Sequence, residues 1–482
     1  MSKGRLAPKS RPSAWRYRRH KPGWRRVDPR TRPPKGMVGF WAQARHLLWS
    51  WGLWVAISGL IVAEGPRLLL LLTIPLALIT HLAKPAAEPP KYGLDHEFSV
   101  DSPEFLDTIA GSSGVPFLGG NTVELLNNGD AFYPRMLEAI DRAESTITVE
   151  AYIYWAGEVG LQFARGLAKR ARAGVRVTIL LDAVGSSNIG PDILRELERG
   201  GCQVAWYNPI SWHTLGRFNN RTHRKSLIID GEVAFTGGAG IADHWRGDAR
   251  GPDEWRDVQV RIAGPAVTPL QSGFAHNWKK TTSELITGAA YYPDIEPRGP
   301  LAVQTMLSSP ETGGSSVSTM YYLSIVCARR FIYIANPYFI PDPVAIETLI
   351  EARQRGVDVR VMVSGLRNDN WVARQNSIRL YGRLLAAGID ILEYNRTMMH
   401  HKTMVVDGVW STVGTANFDN RSFSHNEESN LCVADRGVAS QLERTFLDDA
   451  AVCDRVTLGQ WNRRGGWARL QELAAALLEE QA

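Results

Sequence analysis

Two copies of one spaced triplet stand out in the 482-residue chain: His223-x-Lys225-x4-Asp230 in HRKSLIID and His400-x-Lys402-x4-Asp407 in HHKTMVVD. A neutral imidazole can attack phosphorus, and an adjacent ammonium offers a compact charge to the non-bridging oxygens. The apolar runs after each lysine read as strands. Residues two apart on a strand share a face, so His and Lys would meet one ligand side by side. Brought together, two such faces give one imidazole to attack and another to protonate the leaving oxygen. The lysines then supply the charge stabilisation a metal would otherwise provide, so neither metal nor cofactor is called for. Lysine is scarce, 11 of 55 basic residues, and Lys402 is the only one between residues 281 and 482, so an ammonium there looks required. Asp230 and Asp407 complete the motif at odd spacing from the lysines and are expected to hold its geometry more than to touch phosphate. His401 should point to the opposite face of its strand.

The flanks extend the pattern. Gly237-Gly238-Ala239-Gly240 follows Asp230, and Gly414-Thr415-Ala416-Asn417 follows Asp407. Small residues there would let backbone approach a phosphate, and the Asn417 amide could donate to it. A nucleophilic imidazole needs an acceptor on its other nitrogen, and Asp257 and Glu428 are the candidates.

The elements that must position these residues also come twice. Strand Ile147 to Tyr154, a helix ending at Gly174, and strand Val175 to Leu181 are matched by Ile332 to Ile340, a helix ending at Gly356, and Val357 to Val363. Helices closing at Gly200-Gly201 and Ala387-Gly388 then precede Tyr207-Asn208 and Tyr394-Asn395. Any one match is weak, but the ordered series implies an α/β fold duplicated about a pseudo-twofold.

The N-terminus has a different composition. Residues 1 to 36 hold 13 Lys or Arg against the single acid Asp28, leaving 42 basic and 48 acidic residues in the rest. A basic tail before a mildly acidic body argues against a uniformly nucleic-acid-binding protein and reads as disordered, facing anionic lipid or setting topology. The apolar runs 47–63 and 68–83 flank Glu64-Gly65-Pro66-Arg67, a turn signal, and read as a hairpin entering and leaving a membrane on one side. The positive-inside rule then keeps the catalytic region in the cytoplasm. The expected organisation is tail 1–36, hairpin 37–84, linker 85–114 and halves 115–290 and 291–482. The four cysteines form no zinc or disulfide pattern.

At the paired motifs the chain resembles the phospholipase D superfamily. Asn336-Pro337-Tyr338-Phe339-Ile340-Pro341, Trp255-Arg256-Asp257, Gly264-Pro265-Ala266-Val267 and Arg421-Ser422-Phe423, with the hairpin, are similar to its bacterial cardiolipin synthases. The resemblance implies two α/β sandwich halves of the phospholipase D type and a phosphohistidine intermediate attacked by a second lipid's hydroxyl. The expected activity is transfer of a phosphatidyl group between two phosphatidylglycerols at the bacterial inner membrane. It also implies that Asp257 and Glu428 each pair with the opposite half's histidine, that His223 attacks, and that His400 serves as acid then base. The spacing itself is symmetric and leaves the order open. One departure is Gly240, where the family usually has Asn. The competing readings are a hydrolase that lets water attack, another phosphatidyltransferase or a nuclease using the same centre, and an inactive lipid-binding scaffold. Nothing in the sequence sets an oligomeric state.

Overall fold

The computed structural model describes residues 93–94, 96–209, 220–310 and 315–476. The basic tail and the apolar hairpin lie outside the described residues. Among the described residues no helix is long and apolar enough to cross a membrane.

Each half builds seven strands in the same order. In the first half they are β1 (Leu118–Asn127), β2 (Thr146–Ala151), β3 (Arg176–Asp182), β4 (Gln203–Tyr207), β6 (Ser226–Ile229), β7 (Val233–Gly237) and β8 (Val258–Ala263), with the short β5 (Arg221–Thr222) inserted. In the second they are β9 (Leu301–Ser308), β10 (Phe331–Ala335), β12 (Asp358–Ser364), β13 (Asp390–Tyr394), β14 (Lys402–Val406), β15 (Trp410–Gly414) and β17 (Asn426–Ala434), with β11 (Phe339–Ile340), β16 (Phe418–Asp419) and the edge strand β18 (Asp454–Val456) added. The main sheet runs β18-β13-β12-β10-β14-β15-β17-β9-β1-β8-β7-β6-β2-β3-β4. Read outward from the antiparallel β9–β1 seam, the two directions give the same sequence of elements.

Burial on both faces explains the nearly unbroken apolar strands. Leu227 and Ile229 join one hydrophobic cluster while Ile228 between them joins another; Ile332 and Ile334 are likewise separated from Phe331 and Tyr333. The expected strand from Ile332 to Ile340 breaks after Ala335, because Pro337 lacks the donor a ladder needs, and pairing resumes at Phe339.

The motif aspartates sit at the hairpin turns. Asp230 has φ 53° and Gly231 φ 69°; Asp407 has φ 54° and Gly408 φ 67°. Two successive positive φ values match the twist of a tight hairpin, which favours Asp followed by Gly. Each carboxylate then caps the start of the neighbouring strand. Asp230 accepts from the backbone N–H groups of Glu144, Ser145 and Thr146 at 2.7–2.9 Å, and Asp407 from those of Arg329, Arg330 and Phe331 at 2.7–2.8 Å.

Candidate active site

The motif histidines stand just before the strands that carry the apolar runs. Residues 223–225 precede β6, and Lys402 is the first residue of β14, so His and Lys do not share a regular strand as the spacing predicts. The backbone there serves the other half instead. His223 N–H donates to Glu427 O at 2.9 Å, and His400 N–H donates to Arg256 O at 2.8 Å. Each of those carbonyls belongs to the residue just before the opposite half's acid. The same crossing places His223 Nδ1 3.0 and 2.9 Å from the two oxygens of Glu428, and His400 Nδ1 3.1 Å from Asp257 Oδ2. With Nδ1 engaged by a carboxylate, each imidazole keeps Nε2 for chemistry.

The lysines behave alike. Lys225 Nζ donates to His223 O at 2.8 Å, and Lys402 Nζ donates to His400 O at 2.5 Å and lies 3.1 Å from His400 Nε2. His223, Lys225, His400 and Asn417 all line one cleft, as do Tyr152 and Tyr338. Of the nine residues singled out from the sequence, seven thus gather here: His223, Lys225, His400 and Asn417 line the cleft, Lys402 lies against His400, and Glu428 and Asp257 stand behind His223 and His400. Asp230 and Asp407 do not; they stand at the hairpin turns, where each caps the start of the neighbouring strand.

Burial sets the electrostatics. It is the largest influence lowering the His223 imidazole well below the ordinary range, followed by the charges of Lys225 and Lys402. His400 is lowered by burial and by Lys402, against the opposing pull of Asp257. Lys225 falls to about 7, by burial and then by Lys402, and Lys402 falls to about 8, chiefly by burial. Burial drives Glu428 up to about 7 against Lys225 and the Thr415 hydroxyl. Burial would also raise Asp257, but its hydrogen bond with His400 and the charges of His400 and Lys402 outweigh that and hold it low.

The glycines do a different job from the one their size suggests. A Cβ on Gly238 would meet the Asp257 carboxylate at 2.2 Å, and one on Gly414 would meet the Asn430 side chain at 2.4 Å. They admit side chains that build the site, not a phosphate. At Gly240 a Cβ would lie 2.9 Å from Ile153 Cβ, so the first half has no room for a counterpart to Asn417.

Several contributors went unassigned in the sequence. Trp245 Nε1 donates to Asp257 Oδ2 at 2.8 Å, and Thr415 Oγ1 donates to Glu428 Oε2 at 2.6 Å. The Tyr152 ring meets His223 edge-on at 5.1 Å, and Tyr338 meets His400 at 6.3 Å. Arg224 pairs with buried Glu427 at 2.8 Å and donates to Glu428 O at 3.1 Å, while Arg256 pairs with Asp449 at 2.9 Å. His401 lies turned away, 3.5 Å from Asp449. The tyrosines follow equivalent strands, β2 and β10, a repeat visible in the sequence; the ion pairs join residues far apart in the chain and leave no local signal. Among the described residues no cluster of three or more His, Cys, Asp or Glu side chains suits a metal ion.

Comparison with known proteins identifies the family. The family described as cardiolipin synthase, PLD-like domain, matches residues 136–245 and 324–450, one stretch in each half. Cardiolipin synthase 2 of Staphylococcus epidermidis is 31% identical over 361 residues, 74% of this chain and 74% of that protein. Cardiolipin synthase of Listeria innocua is 33% identical over 370 residues, 76% and 77% of the two chains. The crystal structure of phosphatidylserine synthase from Haemophilus influenzae shares the fold, with TM-score 0.61 and 14% identity over 78% of this chain and 99% of that one. With two half-sites matched and three quarters of its length aligned at this identity, the chain belongs to the cardiolipin synthase family of phospholipase D-like proteins.

Proposed function

We propose that the chain makes cardiolipin by moving a phosphatidyl group from one phosphatidylglycerol to the hydroxyl of a second, through a phosphohistidine at His223. Membership of its family makes it a phosphatidyltransferase acting on phospholipid. His223 Nε2 attacks phosphorus while the bond to the glycerol headgroup oxygen breaks, and His400 delivers its proton to that oxygen. Glycerol leaves. A hydroxyl of the second lipid then gives its proton to His400, its oxygen bonds to phosphorus, and the His223 nitrogen departs with its lone pair. Lys225 and Lys402 steady the non-bridging oxygens in both steps, joined by the Asn417 amide. Asp257 and Glu428 orient the imidazoles and balance the charge each acquires.

The observation that carries this reading is the crossed pairing: each histidine is held at Nδ1 by the other half's acid, so the two form one centre. The family's substrate chemistry supplies the donor and acceptor. Attachment by residues 37–84, with the catalytic region facing the cytoplasm at the inner membrane, is part of the proposal and rests on the charge and hydropathy pattern. The test is mass spectrometry of products after detergent-solubilised protein meets phosphatidylglycerol with chelator present. Cardiolipin with equimolar glycerol is expected; phosphatidate alone would make the chain a hydrolase.

A further inference from the structure

Transfer to a second phospholipid brings a second phosphate into the same cleft, and the catalytic histidines and lysines are already engaged with the first. The cleft is lined by two guanidiniums beyond the reacting centre, and by one further carboxylate, Asp369. Arg221 and Arg421 both line it, with Asn426 and Tyr152. Strand pairing explains their proximity: Arg221 of β5 pairs in register with Asn426 of β17, and Arg421 lies five residues before Asn426 on the helix Asn420–Ser424.

These groups are built in. Arg221 is 3% exposed, anchored by Asp182 at 3.4 Å and by the carbonyls of Asn220 and Asn208 at 3.0 and 2.9 Å. Asp182 is itself held by the N–H groups of Val184, Gly185 and Thr222, so it fixes the Arg221 guanidinium in place while offsetting part of its charge. The Asn426 Nδ2 donates to Glu428 Oε1 at 3.2 Å, the orientation that suits an ionised Glu428. Its Oδ1 is then buried with no partner among the described residues, on a side chain 5% exposed that lines the cleft. A buried acceptor without a donor is costly, and a ligand hydroxyl would satisfy it.

The arrangement is one-sided. Two residues before His223 stands Arg221, and two before His400 stands Met398, which is apolar and buried. Tyr152 touches the reacting centre and senses both guanidiniums. Its ring meets His223, Lys225 Nζ lies 5.5 Å from that ring, and the charges of Arg421 and Arg221 both bear on its phenol.

We infer that Arg221, Arg421 and Asn426 form a second anionic subsite, on the first-half side of the cleft, that holds the phosphate and a hydroxyl of the acceptor lipid. Guanidinium forks suit phosphodiester oxygens, and the free amide oxygen suits a glycerol hydroxyl. The inference rests on the two-lipid reading above and names what separates lipid transfer from hydrolysis: an acceptor held by its own phosphate beside the phosphohistidine competes with water through positioning. The acceptor hydroxyl proton still passes to His400, and the phosphorus–nitrogen bond breaks as the new phosphorus–oxygen bond forms.

The experiment is an acceptor competition with full-length protein in detergent and phosphatidylglycerol as donor. Equal concentrations of glycerophosphoglycerol, a soluble phosphodiester with a terminal hydroxyl, and 1-butanol are supplied, and the two phosphatidyl products are measured as a ratio. Wild-type protein should favour the phosphodiester; Arg421→Gln should lower the ratio tenfold or more, and Arg421→Lys should recover part of it. Because both products share the donor half-reaction, a ratio unchanged in Arg421→Gln overturns the subsite. No wild-type preference for the phosphodiester overturns it too, even if the variant fails to fold. Wild-type protein that favours the phosphodiester but forms no cardiolipin supports the subsite while sinking the functional reading.

Discussion

The two histidines share a backbone arrangement and differ in electrostatics. Behind His400, Asp257 receives the Trp245 indole at 2.8 Å and the Val258 N–H at 2.8 Å, and it is held below the ordinary carboxylate range. Behind His223, burial pushes Glu428 up to about 7 despite the Thr415 hydroxyl and the Asn426 amide. A carboxylate that stays ionised favours an imidazolium beside it; one that is easily neutralised favours it less. His400 is therefore suited to take up and return a proton, and His223, driven furthest toward the neutral form, to attack. The duplicated fold keeps one geometry and differs in what stands behind each imidazole, and that difference is the basis of the proposed roles.

Removing each histidine tests that division most severely. His223→Ala should abolish turnover and leave no protein-bound phosphoryl group after acid-free quenching with labelled phosphatidylglycerol. His400→Ala should lose about 10²–10⁴-fold in turnover, yet regain part of its first step with a donor whose leaving group needs no proton. If His400→Ala loses the labelled intermediate with that donor while His223→Ala keeps it, the roles are reversed.

Neutralising the acids at constant shape comes next. Asp257→Asn should cost more activity at neutral pH than Glu428→Gln, because Asp257 is fully ionised there while Glu428 is already near its midpoint. Equal losses would remove the asymmetry from the explanation.

The pH profile of kcat/KM follows with a smaller effect. As pH rises through about 7 and then about 8, Lys225 and Lys402 in turn lose their protons in the free enzyme and the phosphate loses its cations, so the rate declines on the alkaline side in two steps, the upper one due to Lys402. Lys402→Arg, which does not titrate in this range, should lower the maximum through its different geometry but flatten that upper step. An upper step that stays in place in Lys402→Arg assigns it to another group. On the acid side, protonation of Glu428 near 7 weakens the hold on His223, and Glu428→Gln should remove that limb.

What could be read from the sequence depended on whether a signal was local. The His, Lys and Asp spacings, the strand and helix order and the Gly-ended helices are all local, and the element order appears as expected, although the histidines stand just before their strands. Position within the strand was less legible: the strand breaks after Ala335 because Pro337 lacks a donor, and its continuation pairs with β16 of the same half, while the irregular backbone at residues 223–225 arises where that segment bonds to the opposite half. The supporting ion pairs of Arg224 with Glu427 and Arg256 with Asp449 span about two hundred residues, and no periodicity announces them. The glycines were misread for the same reason, since the atoms that need the space at Gly238 and Gly414 belong to other strands.

The motif aspartates offer a comparison in stability. Asp230→Ala and Asp407→Ala each strand three backbone donors, a loss of about 1–3 kcal/mol in denaturant unfolding. Asp407 is 7% exposed while Asp230 is more open to water, which can take over its donors, so the second-half substitution should cost more. Losses of activity without loss of stability would return these residues to the reacting centre.

Gly240 is the mildest test. Restoring the amide with Gly240→Asn would make the halves more alike in sequence, yet the new Cβ would press within 2.9 Å of Ile153 Cβ and 3.0 Å of its carbonyl oxygen. Overpacking of that kind costs about 1–3 kcal/mol, and relief would have to move the strand end that carries Tyr152 against His223. The expected result is a lower unfolding midpoint and no gain in transfer rate. A gain would mean that the first half lacks a phosphate donor it can still accommodate, and that its asymmetry is a deficit; no gain, with the unfolding midpoint lowered, would mean that the cleft is built around one amide, on the side of Asn417.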